Sequence, residues 1–320
     1  MTTTTTHRPD PDIARRWWDH RNAWIALTAV APATWGTTYA VTTELLPPEH
    51  PLFAALVRAL PAGLVALALT RILPTGTWWW KAAVLGVLNI GAFFPLLFFA
   101  AERLPGGVAA TLGAAQPIVV AVLAVGILHE RTSWWRLGWG VAGVAGVGLV
   151  VLGPGAALDG AGIIAGLAGT LSMALGLVLT KRWGLPPGVG PLTLTGWLLT
   201  AGGLALLPLA LAVEGVPAAV DARGVTGYLW LGLVGGLIAY TLWYRGLRHL
   251  PVTATALLGL LSPLVAALVG AVVLGETLTP VQLSGFALAL AALLAGQLTV
   301  GAVRGRRRVP ATGEGGVKAS

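Results

Sequence analysis

The sequence contains no cysteine among its 320 residues, and it has only 12 acidic side chains against 20 Lys and Arg. Without cysteine the chain cannot form disulfides, thiolate metal sites or a thiol nucleophile. Charged residues of both signs make up only 10% of the chain, hydrophobic residues make up 56%, and the mean hydropathy is +0.81. This balance excludes a water-soluble globular domain and indicates a protein that is solvated by lipid.

Recognisable catalytic motifs are also missing. The sequence has no HExxH, no GxSxG and no phosphate-binding loop, and its five His residues lie in tails or in connections between apolar runs. We therefore predict that the protein is not an enzyme and that it uses no cofactor and no metal ion.

Long apolar runs fill most of the chain. A helix that spans a bilayer needs about 20 mostly apolar residues, and ten such runs are present: 23 to 43, 52 to 73, 82 to 101, 107 to 128, 134 to 152, 160 to 180, 191 to 213, 224 to 244, 252 to 274 and 280 to 300. In lipid the backbone must be hydrogen-bonded internally, and these runs lack the alternation of barrel strands. The sequence predicts an all-α integral membrane protein with ten transmembrane helices.

The chain also repeats itself. Residues 104–152 align without a gap on residues 250–298, at an offset of 146 and with thirteen of 49 positions identical. Apolar helices match by chance at Leu, Val and Ala, so the informative identities are those at four rarer positions: Pro105, Gly113, Pro117 and Glu130, which recur as Pro251, Gly259, Pro263 and Glu276. We predict a duplication, with residues 23–152 as a first five-helix repeat and residues 153–300 as a second.

The basic residues predict the topology. If the N-terminus is cytoplasmic, 17 Lys and Arg fall in cytoplasmic segments, Arg103 and Arg223 fall outside, and Arg58 lies within a span. Residues 1–22 are then a cytoplasmic tail, and residues 301–320 a basic cytoplasmic tail, of a multi-pass cell-membrane protein. Topology thus explains the net charge of +8 better than nucleic acid binding. Because each repeat has an odd number of helices, the second repeat is inverted, an arrangement typical of alternating access.

Short motifs occur in a consistent order along the spans: Trp35-Gly36 in the first, Arg58 in the second, Pro117 with Leu128-His-Glu130 in the fourth, and Pro263 with Leu274-Gly-Glu276 in the ninth. Over residues 23 to 300 this pattern resembles the EamA family of the drug/metabolite transporter superfamily. The resemblance implies a secondary transporter that exports small polar or amphipathic metabolites, such as amino acids, by alternating access. Its partners would be a small-molecule substrate and the lipid bilayer.

An alternative is a sensor or scaffold that has the same helix bundle but moves no solute. A polar, water-accessible centre favours transport, whereas a centre filled by the aromatic rings of the third span favours the alternative: Phe93, Phe94, Phe98 and Phe99. Transport would draw on a gradient, because no Walker motif is present. No carboxylate lies at mid-span, which leaves open uncoupled movement or coupling through Glu44 or Glu102.

Aromatic residues recur at helical spacing in two spans. Trp35, Tyr39 and Thr42 share one face of the first span, and Tyr240, Trp243 and Tyr244 share one face of the eighth. We interpret four of them as substrate-binding or cavity residues: Trp35, Tyr39, Tyr240 and Trp243. Packing between helices is the alternative for the first span, and an interfacial aromatic belt is the alternative for the eighth.

Polar residues within the spans are further candidates. Arg58 is either a gate or a contact for a substrate carboxylate, unless its side chain snorkels to the outer interface. Asn89, Gln116 and Ser262, which matches Gln116 across the repeat, could orient a polar solute or hydrogen-bond between helices.

The recurring prolines and glutamates are predicted to be hinge or structural residues. Pro117 and Pro263 perturb equivalent helices and act either as hinges or as fixed kinks. Glu130 and Glu276 follow them by thirteen residues, where a carboxylate can accept from the amides that start the next helix. Proton coupling is the alternative for both. Glycines in the fifth and tenth spans predict close helix packing, and such a face could also support a homodimer.

Overall fold

The computed structural model describes residues 11–104, 112–130, 133–151, 159–273 and 278–298. All regular structure in these ranges is helical. Seven helical segments are long and apolar enough to cross a membrane: Pro51–Thr70, Trp78–Ala100, Gly160–Trp183, Pro191–Val213, Ala222–His249, Val252–Val272 and Pro280–Gln297. The prediction of an all-helical, multi-pass membrane protein is confirmed, and the count of ten helices stays a prediction.

The first half of the described chain contains seven α-helices: α1 Pro11–Gly36, α2 Thr38–Leu45, α3 Pro51–Thr70, α4 Trp78–Gly86, α5 Phe93–Arg103, α6 Gln116–Leu128 and α7 Trp134–Val151. The second half contains seven more: α8 Gly160–Trp183, α9 Pro191–Val213, α10 Ala222–Leu229, α11 Ala239–His249, α12 Val252–Leu258, α13 Leu261–Val273 and α14 Pro280–Gln297. π-helical segments connect α4 to α5 (Val87–Gly91) and α10 to α11 (Trp230–Ile238), so the two halves share this irregularity.

Polar side chains define where several helices begin. Asp159 Oδ1 accepts from the Gly162 amide at 2.7 Å, and Asp221 Oδ1 accepts from the Gly224 amide at the same distance. Thr279 forms a capping box with Gln282 at the start of α14. These acceptors satisfy amides that have no partner inside the helix, a requirement that is strict in lipid.

Basic side chains bind the carbonyl ends of other helices. Lys181 Nζ donates to the carbonyls of Leu247 and Leu250 at 2.6 and 2.9 Å, at the end of α11. Arg182 donates to the Ile127 carbonyl at the end of α6, and Arg21 donates to the Gln297 carbonyl at the end of α14. A cation is favoured at a helix C-terminus, so these contacts tie the ends of neighbouring helices together.

Two helix pairs each join one helix of the first half to one helix of the second half. In the pair α7 and α14, a Cβ on Gly146 would lie 2.6 Å from the Ala289 nitrogen, and one on Gly143 would lie 3.4 Å from the Ala292 Cβ. The offset of 146 residues aligns Gly143 with Ala289 and Gly146 with Ala292. Applying the offset therefore converts each of these two contacts into the other. The structure therefore follows the offset read from the sequence, and these glycines pack inside the chain.

In the pair α3 and α9, a glycine of each helix also packs closely against the other helix. A Cβ on Gly63 would lie 2.5 Å from the Thr200 nitrogen, and one on Gly203 would lie 2.7 Å from the Leu60 Cβ. Both ends of the pair are also bonded, because the Trp197 indole donates to the Ile72 carbonyl at 2.8 Å. At the other end, Glu214 accepts from two amides of α3.

Glu214 offers a test of this end contact. Its two carboxylate oxygens each accept at 2.9 Å, one from the Leu52 amide and one from the Phe53 amide. We expect Glu214→Ala to lower the free energy of unfolding by about 1 to 2 kcal/mol, the usual effect of losing an N-terminal cap. Glu44→Ala, which alters an exposed carboxylate within α2, is the control, and the measurement is thermal unfolding in detergent. Equal midpoints for both variants would contradict the capping role.

Candidate functional site

Three of the predicted aromatic residues come together in the bundle. The Trp35 ring lies 5.0 Å from the Tyr240 ring and 5.3 Å from the Trp243 ring. Tyr240 and Trp243 are only 3% and 2% exposed, which is inconsistent with a lipid-facing aromatic belt. Trp35 belongs to the first half of the chain and its two partners to the second, so this aromatic cluster is built from both.

A single carbonyl links the aromatic cluster to Arg58. The Gly235 oxygen accepts from the Trp35 indole at 2.9 Å and from Arg58 Nη2 at 3.3 Å. Gly235 lies in the π-helical segment Trp230–Ile238. Local π-helical geometry often marks functional sites, and here one of its carbonyls receives two interhelical hydrogen bonds.

Arg58 is directed into the bundle. The side chain is 6% exposed and its Cζ lies 5.3 Å from the centroid of the Phe94 ring, a cation–π distance. Its Nε has no hydrogen-bond partner in the part of the chain that the structure describes. The guanidinium is therefore enclosed by the bundle and does not snorkel to the outer interface.

The phenylalanines of the third span do not all lie beside Arg58. Phe94 is buried and stacks with Phe98, with ring centroids 6.0 Å apart. Phe93 and Phe98 are half-buried, and Phe99 is 41% exposed. Only Phe94 has its ring face over the guanidinium in the described contacts.

Asn89 contacts a different part of the bundle. Its Nδ2 donates to the Leu85 carbonyl of its own helix at 2.8 Å, and a Cβ on Gly176 of α8 would lie 2.7 Å from its Cγ. Ser172 of α8 likewise donates to the Leu88 carbonyl at 2.8 Å. These contacts join the first π-helical segment to α8, as expected of interhelical hydrogen bonding and close packing.

Gln116 and Ser262 lie at helix breaks. Gln116 begins α6 after a turn at Ala115, and Ser262 follows the break between α12 and α13. Gln116 Oε1 lies 3.7 Å from where a Cβ on Gly259 would be, and Gln116 Nε2 is buried without a partner in the described chain. A Cβ on Gly36 would lie 2.6 Å from the Ser262 carbonyl oxygen, so the end of α1 meets the second break.

The predicted hinge and structural residues are only partly described. Pro117 and Pro263 each stand at the second or third position of a helix that follows a break, and whether the breaks move stays a prediction. Glu130 lines a small cavity with Arg136 and Thr253. The Arg136 amide, near the start of α7, donates to Ser133 Oγ at 3.4 Å. Glu276 and the side chain of Tyr39 lie outside the described residues.

A cleft opens near the aromatic cluster. Tyr244, one helical turn beyond Tyr240 and with its ring 6.0 Å away, is buried, and its hydroxyl has no partner among the described residues. It lines a cleft of about 260 Å³ together with Thr180, Lys181, Gly184, Leu185, Leu194, Leu247 and Arg248. The site prediction did not include Tyr244 or Lys181, although the i, i+4 spacing from Tyr240 was a signal for Tyr244.

No group of three or more His, Cys, Asp or Glu side chains that could hold a metal ion occurs in the described ranges. The charged group that the site offers is therefore the Arg58 guanidinium, beside the indole of Trp35 and the phenol of Tyr240. Such a site can bind and orient a solute.

Comparison with known proteins finds membrane transporters. The model of the EamA-like transporter family matches twice, over residues 22–152 and 160–295. Protein PecM of Dickeya dadantii is 47% identical over 264 residues, which cover 82% of this chain and 89% of PecM. A probable terminal-alkyne amino-acid exporter of Streptantibioticus cattleyicolor is 27% identical over 235 residues, 72% of this chain and 76% of the exporter.

A protein of known crystal structure has the same fold. It superposes with a TM-score of 0.73 at 18% sequence identity, and the match covers 86% of this chain and 98% of the other. At that identity the likeness concerns the fold alone. From the twofold match of the family model and the identity to PecM, the chain belongs to the EamA-like transporter family of the drug/metabolite transporter superfamily.

Proposed function

We propose that this protein is a secondary transporter of the cell membrane that exports amino acids or related amphipathic carboxylates by alternating access. The observation that carries the proposal is the buried Arg58, whose guanidinium has an Nε without a partner among the described residues, beside an aromatic cluster. The proposal takes ten spans in two inverted repeats as its architecture.

Arg58 favours an anionic group on the solute. A buried charge without a counter-charge is unfavourable in a membrane protein, and guanidinium binds carboxylate through two parallel hydrogen bonds. Within the described ranges, the hydrogen bond that Arg58 makes to the protein is the long one to the Gly235 carbonyl. A carboxylate brought by the solute would supply both the missing charge and the missing acceptors.

The aromatic cluster favours an amino acid over a simple anion. Ring faces of Trp and Tyr attract an ammonium group and also pack against apolar side chains. Trp35 provides such a face within 5.3 Å of the rings of both Tyr240 and Trp243. The relative named as an amino-acid exporter supports the same solute class and the outward direction.

The helix pairs suggest which elements move. The pair α7 and α14 is bonded near both ends, by Gln282 Nε2 to the Val150 carbonyl at 3.0 Å and by the Trp135 indole to the Ala295 carbonyl at 2.8 Å. The pair α3 and α9 is also bonded at both ends. We infer that these pairs stay fixed while α1, α6, α11 and the broken α12 and α13 change position to expose Arg58 alternately to each side.

Uptake into liposomes tests the proposal. The purified protein is assayed with labelled L-phenylalanine, L-propargylglycine, 3-phenylpropionate and phenethylamine, with and without a pH gradient. We expect flux of the carboxylate-bearing amino acids and slow flux of phenethylamine, which lacks the carboxylate. Absence of flux for every solute from folded protein would contradict the proposal and favour a sensor or scaffold. Acceleration by the gradient would identify proton coupling.

Trp35 provides a more local test. Trp35→Phe keeps an aromatic ring but removes the indole donor to Gly235. We expect kcat/KM for L-phenylalanine to fall about fivefold, because Gly235 also positions Arg58 and one hydrogen bond of about 1 kcal/mol is lost. Trp134→Phe is the control, since Trp134 is 77% exposed. Equal transport by the two variants would exclude Trp35 from the site.

A further inference from the structure

The cleft beside Tyr244 is separate from the contacts of Arg58. It lies between the end of α8 and the end of α11, on the side where Lys181 and Arg182 bind carbonyl ends. The charge distribution of the sequence predicts that this side is cytoplasmic. An exported solute would therefore meet the cleft before it reaches Arg58.

Tyr244 belongs to the wall of the cleft and carries a buried, unused hydroxyl donor. Its side chain is 2% exposed and its hydroxyl has no hydrogen-bond partner among the described residues. Buried hydroxyl groups almost always have partners, and one without a partner is destabilising. Because Tyr244 lines the cleft, a bound solute can supply the missing acceptor.

Two basic side chains give the cleft a positive charge. Lys181 is half-buried and uses two of its three donors on the Leu247 and Leu250 carbonyls, which leaves one donor available. Arg248 is exposed at the cleft. The remaining walls include the apolar side chains of Leu185, Leu194 and Leu247, so the cleft suits an anionic group attached to an apolar body.

The volume of the cleft limits the size of a solute, and its Tyr244 wall contacts the aromatic cluster. Its volume is about 260 Å³, just below the roughly 300 to 1,000 Å³ of ordinary small-molecule sites. Such a volume fits a single amino acid rather than a drug-sized compound. The Tyr244 ring lies 6.0 Å from Tyr240, whose ring contacts Trp35 beside Arg58.

We propose that this cleft is a second solute site, a vestibule in which the Tyr244 hydroxyl, Lys181 and Arg248 bind the carboxylate of a small amphipathic solute. The inference rests on the proposed function, because it treats the vestibule as the entry to the site at Arg58. The carboxylate passes from Tyr244 and Lys181 to Arg58, which lies beyond the ring of Tyr240.

The absence of cysteine makes a direct test straightforward, since single-cysteine variants have no background reaction. Leu185→Cys reports on the vestibule, and Val216→Cys, at a 64% exposed position after α9, is the matched control. Purified full-length variants in detergent are labelled with an anionic and a cationic methanethiosulfonate. We expect the anion-to-cation rate ratio of the Leu185→Cys variant to exceed that of the control by about tenfold, as a positively charged cleft requires.

Charge removal and solute protection then separate the contributions. Arg248→Gln and Lys181→Met should each lower the rate ratio. Lys181→Met also removes the hydrogen bonds to the carbonyls at the end of α11, so Arg248→Gln remains as the test if the Lys181 variant unfolds. 3-Phenylpropionate should slow labelling at position 185 at least threefold, whereas phenethylamine should not. Tyr244→Phe should abolish this protection because it removes only the hydroxyl group.

The same assay in an Arg58→Gln background distinguishes the two sites. Protection by 3-phenylpropionate should persist there, because the vestibule binds without Arg58. Equal rate ratios at positions 185 and 216, or protection that Tyr244→Phe leaves unchanged, would overturn the vestibule. Failure of the proposed transport function would instead show as absence of flux in liposomes, whatever the labelling result.

Discussion

Arg58→Gln is expected to lower kcat/KM for carboxylate-bearing solutes by about 100-fold and to leave phenethylamine transport almost unchanged. Truncating one partner of a buried charged pair typically costs about 2 to 5 kcal/mol, and the lower part of that range corresponds to this factor. The variant should still fold, because it removes a buried cation whose Nε has no partner in the described chain. The measurement is initial flux of L-phenylalanine and phenethylamine into liposomes.

A matched control comes from the residue just after the same helix. Arg71, the residue that follows α3, is exposed, so Arg71→Gln changes the net charge equally without altering the site. We expect it to transport both solutes like the unmodified protein. Loss of both solutes in Arg58→Gln would assign Arg58 to gating or to the fold, and normal transport of both would remove it from the site.

Gly146→Ala is expected to destabilise the protein strongly, because the added methyl group would meet the backbone of the neighbouring helix α14. The new Cβ would lie 2.6 Å from the Ala289 nitrogen and 2.8 Å from the Gly285 oxygen, both backbone atoms of α14. Because these atoms move only with the whole helix, we expect a loss of about 3 kcal/mol, the upper part of the usual overpacking range. Thermal unfolding of the purified protein measures it.

Gly138→Ala is the control for this prediction. Gly138 lies in the same helix, and no atom of the described residues comes within 4 Å of a Cβ placed there. The same substitution should be neutral or stabilising by up to about 1 kcal/mol, because Ala is the better helix former. If both variants unfold at the same temperature, the close contact between α7 and α14 is not what holds this pair together.

Much of the fold could be predicted from particular residues. The recurrence of Pro117 as Pro263 and Gly113 as Gly259 indicated a duplication, and the exchange of the Gly143 and Gly146 contacts follows the same offset. The length of the apolar runs alone identified helices, because a backbone in lipid has few other ways to satisfy its hydrogen bonds. π-helical segments were not predictable, since they depend on packing rather than on composition.

The candidate site was harder to predict from the sequence than the fold. The helical spacing of Trp35, Tyr240 and Trp243 predicted shared faces, and the structure brings these three rings together. Only the polarity of Asn89 pointed to the site, and in the structure Asn89 contacts Gly176 of α8 instead. A helical pattern specifies which residues share a face, but it does not specify which neighbouring helix that face meets.

The sequence by itself determined the environment, the helical class and the duplication of this protein, because hydropathy and repeated residues are properties of the chain alone. Only the tertiary structure decided that Arg58 turns inward to the Gly235 carbonyl and that Tyr244 and Lys181 line one cleft. Contacts between α3, α8 and α11 depend on how distant helices pack. The direction of a long side chain follows the nearest favourable partner, and that partner is known only once the bundle has formed.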